Sequence, residues 1–360
     1  MSKIICLANL QQYDENFEYL RSFANLLDSL KKAPIVILNK KPPELRLRFQ
    51  NLRILPKKIL EYLKIRRDKS LLALMSGAEI VFAFTYNDLA LAVYFKKKLK
   101  AKFKIVYFTL DWKTSRARNK SFSKKTDLYI FQNEYDALRI SRQIKLDPKK
   151  GYVLYPCFQI QSEELCEKPK FTDFTGEEKI TVLIPGELAL KNKPKDLINL
   201  FSVLPREILD RMQFIFSGPV KDYSREDLIE YSKFKKILSN CSFIDKETEL
   251  NGLFRFCDIG LINNSKSFES VKYTQYFMQM KKPVITFVKN IITEYLDSPL
   301  ITTILDPGDE DGFCDILDKL VNDIKLRKEI GEQSYQTFSE KFSYIKYTDK
   351  IKALLYQLEE

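Results

Sequence analysis

The pattern that most limits what this chain can fold into is an alternation of apolar runs with longer amphipathic stretches. Lys3–Asn9, Ala33–Asn39, Glu79–Phe84, Phe103–Leu110 and Asp127–Asn133 each place apolar residues at successive positions rather than at every second one. Such runs suit strands covered on both faces, as in a parallel sheet flanked by helices. Glu15–Leu30 and Asn87–Leu99, which lie between them, have helical spacing. A polar stretch, Gln161–Glu178, reads as a linker. The alternation then resumes with Lys179–Glu187, Met212–Pro219, Cys241–Asp245, Cys257–Asn263, Lys282–Phe287 and Thr302–Asp309, and a charged helical tail, Phe313–Glu360, closes the chain. The expectation is an α/β protein of two Rossmann-like, doubly wound domains facing a cleft. They would span 1–165 and 178–343, with a last helix at about 344–358 packing back on the first. Sheets of this kind bind ligands at the carboxyl ends of their strands.

Charge divides the chain at the same place. Of 60 Lys+Arg and 48 Asp+Glu, residues 1–150 hold 32 and 14, an excess of 18 positive charges. Residues 151–360 hold 28 and 34, an excess of 6 negative ones. A half this basic implies an anionic partner: a phospholipid surface, nucleic acid or a polyanionic substrate. Within it, Lys40–Lys69 mixes Leu, Ile, Phe and Tyr with Arg and Lys. If Pro56–Arg67 is helical, Ile59, Leu60 and Leu63 share a face opposite Lys57, Glu61 and Lys64, although Arg66 and Arg67 return to the apolar side. That segment is either an element lying on anionic lipid or a domain helix with a solvated basic face. The longest apolar runs, LLALM and IVFAF, fall far short of the ~20 residues that cross a bilayer. The start of the chain reads as a first buried strand rather than a signal peptide.

The chain has no histidine. Ser-His and Cys-His nucleophiles, a histidine base and His-ligated metals are therefore excluded. Six cysteines without a CxxC spacing argue for free thiols in a reducing cytosol and against zinc. Chemistry must run on carboxylates, lysine, arginine, tyrosine, backbone amides or an oxygen-bound cation.

An ordered series of segments, rather than one motif, carries a resemblance. IPGELALKNKPKDLINLFSVLP, FIFSGP, LFRFCDIGLIN, VKYTQYFMQMKKPVITF and the closing ILDPGDEDGFCDILDKL follow one another over about residues 179–345. The series resembles the donor-binding domain of glycosyltransferases with the GT-B architecture, most like the retaining family 4; the first half matches only in strand order. The resemblance implies a glycosyltransferase that uses a nucleotide sugar, UDP- or GDP-linked, as co-substrate, with no cofactor and no metal. In that family the loop and helix before the KPVI strand hold the nucleotide sugar through acidic residues. Carboxylates suit this because each accepts several strong hydroxyl hydrogen bonds, while the free amides of a helix start favour the diphosphate.

Carried over residue by residue, Glu269 stands for the first of the family's paired glutamates. Gln275 is the nearest polar group to the second, six positions on instead of eight, and Lys272 adds a phosphate contact. The alternative is that Glu269 and Lys272 cap and solubilise a helix. Gly186 and Gly218 end strands where a missing side chain lets backbone approach a ligand. Lys191 and Lys193 flank the family's lysine place, held here by Asn192, and Glu187 occupies its arginine-like place. These lysines grip a diphosphate or simply solvate a loop. The first half lacks the family's glycine pair after strand one, reading ANLQQYDEN, with Asp14 or Glu15 near the cleft. Asp111, beside the only tryptophan, is either the base that activates an acceptor or a helix N-cap.

The expected function is transfer of a sugar from the nucleotide donor to a lipid-linked or polymeric glycan. It would take place at the cytosolic face of a membrane, where the protein is peripheral on an anionic surface. The alternative is a catalytically silent GT-B subunit that binds acceptor or stabilises an active partner protein. No nucleic-acid partner is expected, since no recognition motif accompanies the basic residues.

Overall fold

The computed structural model of the chain describes residues 3–8, 15–30, 32, 34–38, 52–54, 69–110, 124–160, 179–244, 247–263, 268–287, 291–296, 303–306 and 308–359. The chain divides into two compact units, Met1–Pro156 with Tyr347–Glu360, and Cys157–Lys346.

The first unit is built on a seven-stranded parallel sheet. Its strands are β1 (Ile4–Ala8), β2 (Ile35–Leu38), β3 (Leu52–Ile54), β4 (Ile80–Ala83), β5 (Lys104–Phe108), β6 (Leu128–Phe131) and β7 (Gly151–Val153). They lie in the order β3-β2-β1-β4-β5-β6-β7. Registers such as Ile5 opposite Ile35 and Ile5 opposite Val81 show β1 paired on both sides. The continuous apolar runs have the cause the pattern implies: all four residues of β4 and of β6 are buried. Phe23, from the helix Glu15–Ser29, meets Phe82 and Phe108 edge-on at 4.9 and 5.0 Å, while Phe84 stacks on Phe108 at 4.5 Å. Such pairs add about 0.5–1.5 kcal/mol each beyond the area they bury. The helix Tyr86–Lys98 starts at a capping box in which Thr85 and Asp88 satisfy each other's backbone amides. The last helix, Tyr344–Glu359, buries Ile351, Leu354 and Leu355. The Tyr152 hydroxyl donates to the carbonyl of Lys350, and Lys32 pairs with Glu359.

The second unit has a five-stranded parallel sheet in the order β10-β9-β8-β11-β12. Its strands are β8 (Ile180–Pro185), β9 (Met212–Ser217), β10 (Cys241–Ile244), β11 (Ile259–Ile262) and β12 (Val284–Thr286). Phe201, from the helix Pro194–Ser202, stacks on Phe214 at 3.8 Å with the rings nearly parallel, at the centre of the core on that face. Residues 157–160 go with this unit for a stated reason. The Phe158 amide donates to Gln275 Oε1 at 2.8 Å, and Gln279 Nε2 donates to the Phe158 carbonyl at 2.8 Å.

Two short strands, β3 and β7, were absent from the expected set, and the expected strand Thr302–Asp309 contributes one bridge, Ile304 to Thr286. Pro56–Arg67, the linker Gln161–Glu178, Asp14 and Asp111 lie outside the described residues. Among the described residues no helix is long and apolar enough to cross a membrane. Cys6, Cys157, Cys241 and Cys257 are free and buried, and burial pushes the thiols of Cys157, Cys241 and Cys257 up to about 12.

Candidate functional site

In the second sheet the strand order reverses at β8: the chain continues to β9 and β10 on one side, then returns to β11 and β12 on the other. Loops leaving β8 and β11 at their carboxyl ends therefore diverge, and a crevice opens where ligands of such sheets bind.

The loop after β8 is shaped by backbone rather than by side chains. Gly186 takes φ +134°, which residues with a Cβ rarely adopt. Gly218, after β9, is more constrained still, because a Cβ there would sit 2.2 Å from the Gly186 carbonyl oxygen. With both glycines in place, Gly186 donates to the Ser217 carbonyl, Gly218 to that of Ile244 and Leu188 to that of Pro219, all at 2.9 Å. The two loops thus extend the sheet past its strands. A 3-10 turn, Leu190–Asn192, follows, and Lys193 then takes left-handed φ +47° to start the helix Pro194–Ser202.

Asn192 ties the arrangement together. Its Nδ2 donates to the Glu187 carbonyl at 2.6 Å, and its own carbonyl accepts from Asn263 Nδ2, at the end of β11, at 3.0 Å. The loops on either side of the switch point are thereby latched to each other. Asn192 Oδ1 is buried and has no hydrogen-bond partner among the described residues. It borders a cavity of about 10 Å³ lined by Gly186, Glu187, Pro194 and Asn263, roughly the room one water needs. A nucleotide would have to lie over these loops, not inside them.

The candidate lysines of this loop, Lys191 and Lys193, both lie near carboxylates. Lys191 Nζ lies 2.8 Å and Lys221 Nζ 3.4 Å from Glu187 Oε2, and Lys193 Nζ is 3.8 Å from Asp196. The Lys191 hydrogen bond, followed by the charges of Lys191 and Lys221, holds the Glu187 carboxyl below its ordinary range against the opposing effect of partial burial.

The helix Phe268–Gln279 follows β11, with Glu269 in its first turn. Its seat is set by two close approaches. The Phe277 ring lies 2.6 Å from where a Cβ on Gly260 would be, and the Lys281 carbonyl 2.0 Å from where one on Gly331 would be. A side chain at Gly260 would push the helix off β11, and one at Gly331 would press the helix Ile324–Thr337 away from Lys281. Glu269 is half-buried, with Oε2 out of solvent, and Lys272 is half-buried with Nζ 5.9 Å from the Tyr276 ring. Gln275 has another occupation than contacting a donor: it is fully buried, and its Oε1 accepts the Phe158 amide. Sequence reasoning named Asn192 only as an occupant of the lysine place and passed over Asn263. The signal was there, since asparagine in a loop that follows a strand is a residue that bonds to nearby backbone.

No family model matches the chain, and no curated protein matches its sequence. Solved structures do match it along its whole length. A glycosyltransferase from Rickettsia africae ESF-5 superposes with a TM-score of 0.82 at 14% identity, covering 100% of this chain and 99% of its own. Anabaena Alr3699/HepE, solved with UDP and glucose, gives 0.75 at 13% identity, covering 99% and 100%. The lipopolysaccharide outer core galactosyltransferase WaaB gives 0.73 at 14% identity, covering 99% of both. The fold is GT-B. In this GT-B chain the crevice between β8 and β11 belongs to the second of the two Rossmann-like units.

Proposed function

We propose that this chain is a glycosyltransferase that moves a sugar from a UDP- or GDP-linked donor to a lipid-linked or polymeric glycan. The observation that carries the reading is the latched pair of loops at the switch point of the second sheet, Gly186–Asn192 and Asn263, beside the helix that bears Glu269. In this reading the bare backbone at Gly186 and Gly218 lets the diphosphate approach. Glu269 accepts hydrogen bonds from sugar hydroxyls, and Lys191, Lys193 and Lys272 balance phosphate charge. Asp111 serves as the base toward the acceptor. The excess of 18 positive charges in residues 1–150 holds the protein on an anionic membrane face, where a lipid-linked acceptor would be presented. The neighbours solved as glycosyltransferases support the reading at the level of fold.

One observation favours the silent-subunit alternative. Glu187 draws both Lys191 and Lys221 into ion pairs, so a diphosphate would have to compete with its carboxylate for them. The assay that separates the two measures nucleoside diphosphate released from UDP- and GDP-sugars, with and without a membrane glycolipid extract. Release stimulated by the extract supports the transferase. Release absent with every donor supports the silent subunit.

A further inference from the structure

The first unit carries a second concave site to which the transferase reading assigns neither donor nor acceptor. A cavity of about 310 Å³ opens at the amino ends of β5 and β6, lined by Val93, Lys96, Lys97, Lys124, Lys125 and Asp127, with Ile105 at its floor. Because the strands are parallel, this is the edge of the sheet opposite its carboxyl ends. Lys96 and Lys97 come from the last turn of the helix Tyr86–Lys98, and Lys124 and Lys125 from the turn that leads into β6. Four ammonium groups from two remote stretches thus face one carboxylate.

That carboxylate is already engaged. Asp127 Oδ2 accepts the Ile105 amide at 2.7 Å and pairs with Lys96 Nζ at 2.9 Å. Lys97, Lys124 and Lys125 are exposed and have no ion-pair partner among the described residues. Lysines in the last turn of a helix are accounted for by the negative end of its dipole. That explains Lys96 and Lys97 and leaves Lys124 and Lys125 unexplained. A concave surface of one sign, with apolar walls, focuses the field and concentrates an oppositely charged ligand. Lysine neutralises phosphate as a point charge without demanding a planar partner.

We infer that this cavity binds a phosphate-bearing anion, held by Lys97, Lys124 and Lys125 and seated against Val93 and Ile105. The shared chemistry is a phosphomonoester or diphosphate, whether on a soluble molecule or on a lipid headgroup.

The test is calorimetric titration of sodium pyrophosphate into the full chain. Wild type should bind it saturably. The triple variant Lys97→Ala, Lys124→Ala, Lys125→Ala should lose affinity about tenfold or more, the equivalent of about 1.4 kcal/mol. The variant Lys325→Ala, Lys328→Ala, which removes two exposed lysines of the other unit that the crevice does not use, should keep this binding, which separates the site from general surface charge. If the triple variant does not fold, Lys124→Glu alone, on an exposed turn, gives the same reading. Sedimentation with phosphatidylcholine vesicles, with and without phosphatidic acid, identifies the source. Lysine-dependent sedimentation that requires phosphatidic acid assigns a headgroup, and pyrophosphate binding without it assigns a soluble phosphate. Pyrophosphate affinity unchanged in the triple variant, or no saturable binding by wild type, would overturn the inference.

Discussion

The two sheets handle charge in opposite ways. In the loops after β8 and β9 of the second sheet the lysines have carboxylates beside them: Glu187 for Lys191 and Lys221, Asp196 for Lys193. At the amino edge of the first, Lys97, Lys124 and Lys125 share one cavity with a carboxylate that Lys96 already occupies. The loop beside the crevice has most of its positive charge compensated, and the cationic surplus of the sequence lies in residues 1–150. A charge excess read from sequence therefore does not locate a donor site. What shapes the crevice is backbone: two glycines, a left-handed lysine and two asparagine side chains.

If backbone shape dominates in the second unit, its glycines should be the most sensitive positions there. Gly218→Ala forces a Cβ against the Gly186 carbonyl, and we expect it to cost about 3 kcal/mol, the upper range for overpacking. A urea midpoint unchanged by this substitution would break the comparison, because the loop would then be adaptable. Asn192→Ala should cost about 1 kcal/mol for its hydrogen bond to the Glu187 carbonyl. Asn263→Ala, which removes the donor to the Asn192 carbonyl, should weaken nucleotide binding as the latch between the loops opens, while pyrophosphate binding in the first unit stays as it was.

The smallest effect tests the paired lysines. Glu187 has a folded-state pKa below its ordinary value of 4.5. Its stabilising contribution is therefore present above that value and lost as pH falls through the lower folded one. Removing it with Glu187→Gln should cost less than about 1 kcal/mol at pH 7, as for a solvent-screened pair. The difference from wild type should shrink as pH falls from 4.5 and vanish in acid once the carboxyl is protonated in the folded protein as well. A difference that persists there would mean the side chain acts through packing.

Much of the fold was legible in the residues. Strands apolar on both faces, such as IVFA in β4 and LYIF in β6, are buried throughout and fall within the runs that marked them. The edge strands β3 and β7 were not, since three residues give no periodicity and LRI sits among the bases of Lys40–Lys69. Of the candidate site, the glycine turns and the helix were legible, because glycines at strand ends and an acid in a first turn leave marks in sequence. The direction of Gln275 was not legible. Whether a glutamine faces ligand or backbone depends on what packs beside it, here a segment 117 positions away. The pairing of Lys191 with Glu187 is visible at i, i+4 spacing only once the turn is known to be helical.

The central claim, that the crevice between β8 and β11 binds a nucleotide sugar through the helix bearing Glu269, is met most directly by calorimetric titration. UDP- and GDP-sugars would be titrated into wild type and into Glu269→Ala, with urea unfolding to confirm that the variant is folded. The account predicts saturable binding of one of these donors to wild type and a loss of about 1–3 kcal/mol in the variant, the worth of charge-assisted hydrogen bonds to buried polar groups. Binding of equal strength in a folded Glu269→Ala protein, or no binding of any donor to wild type, would contradict it.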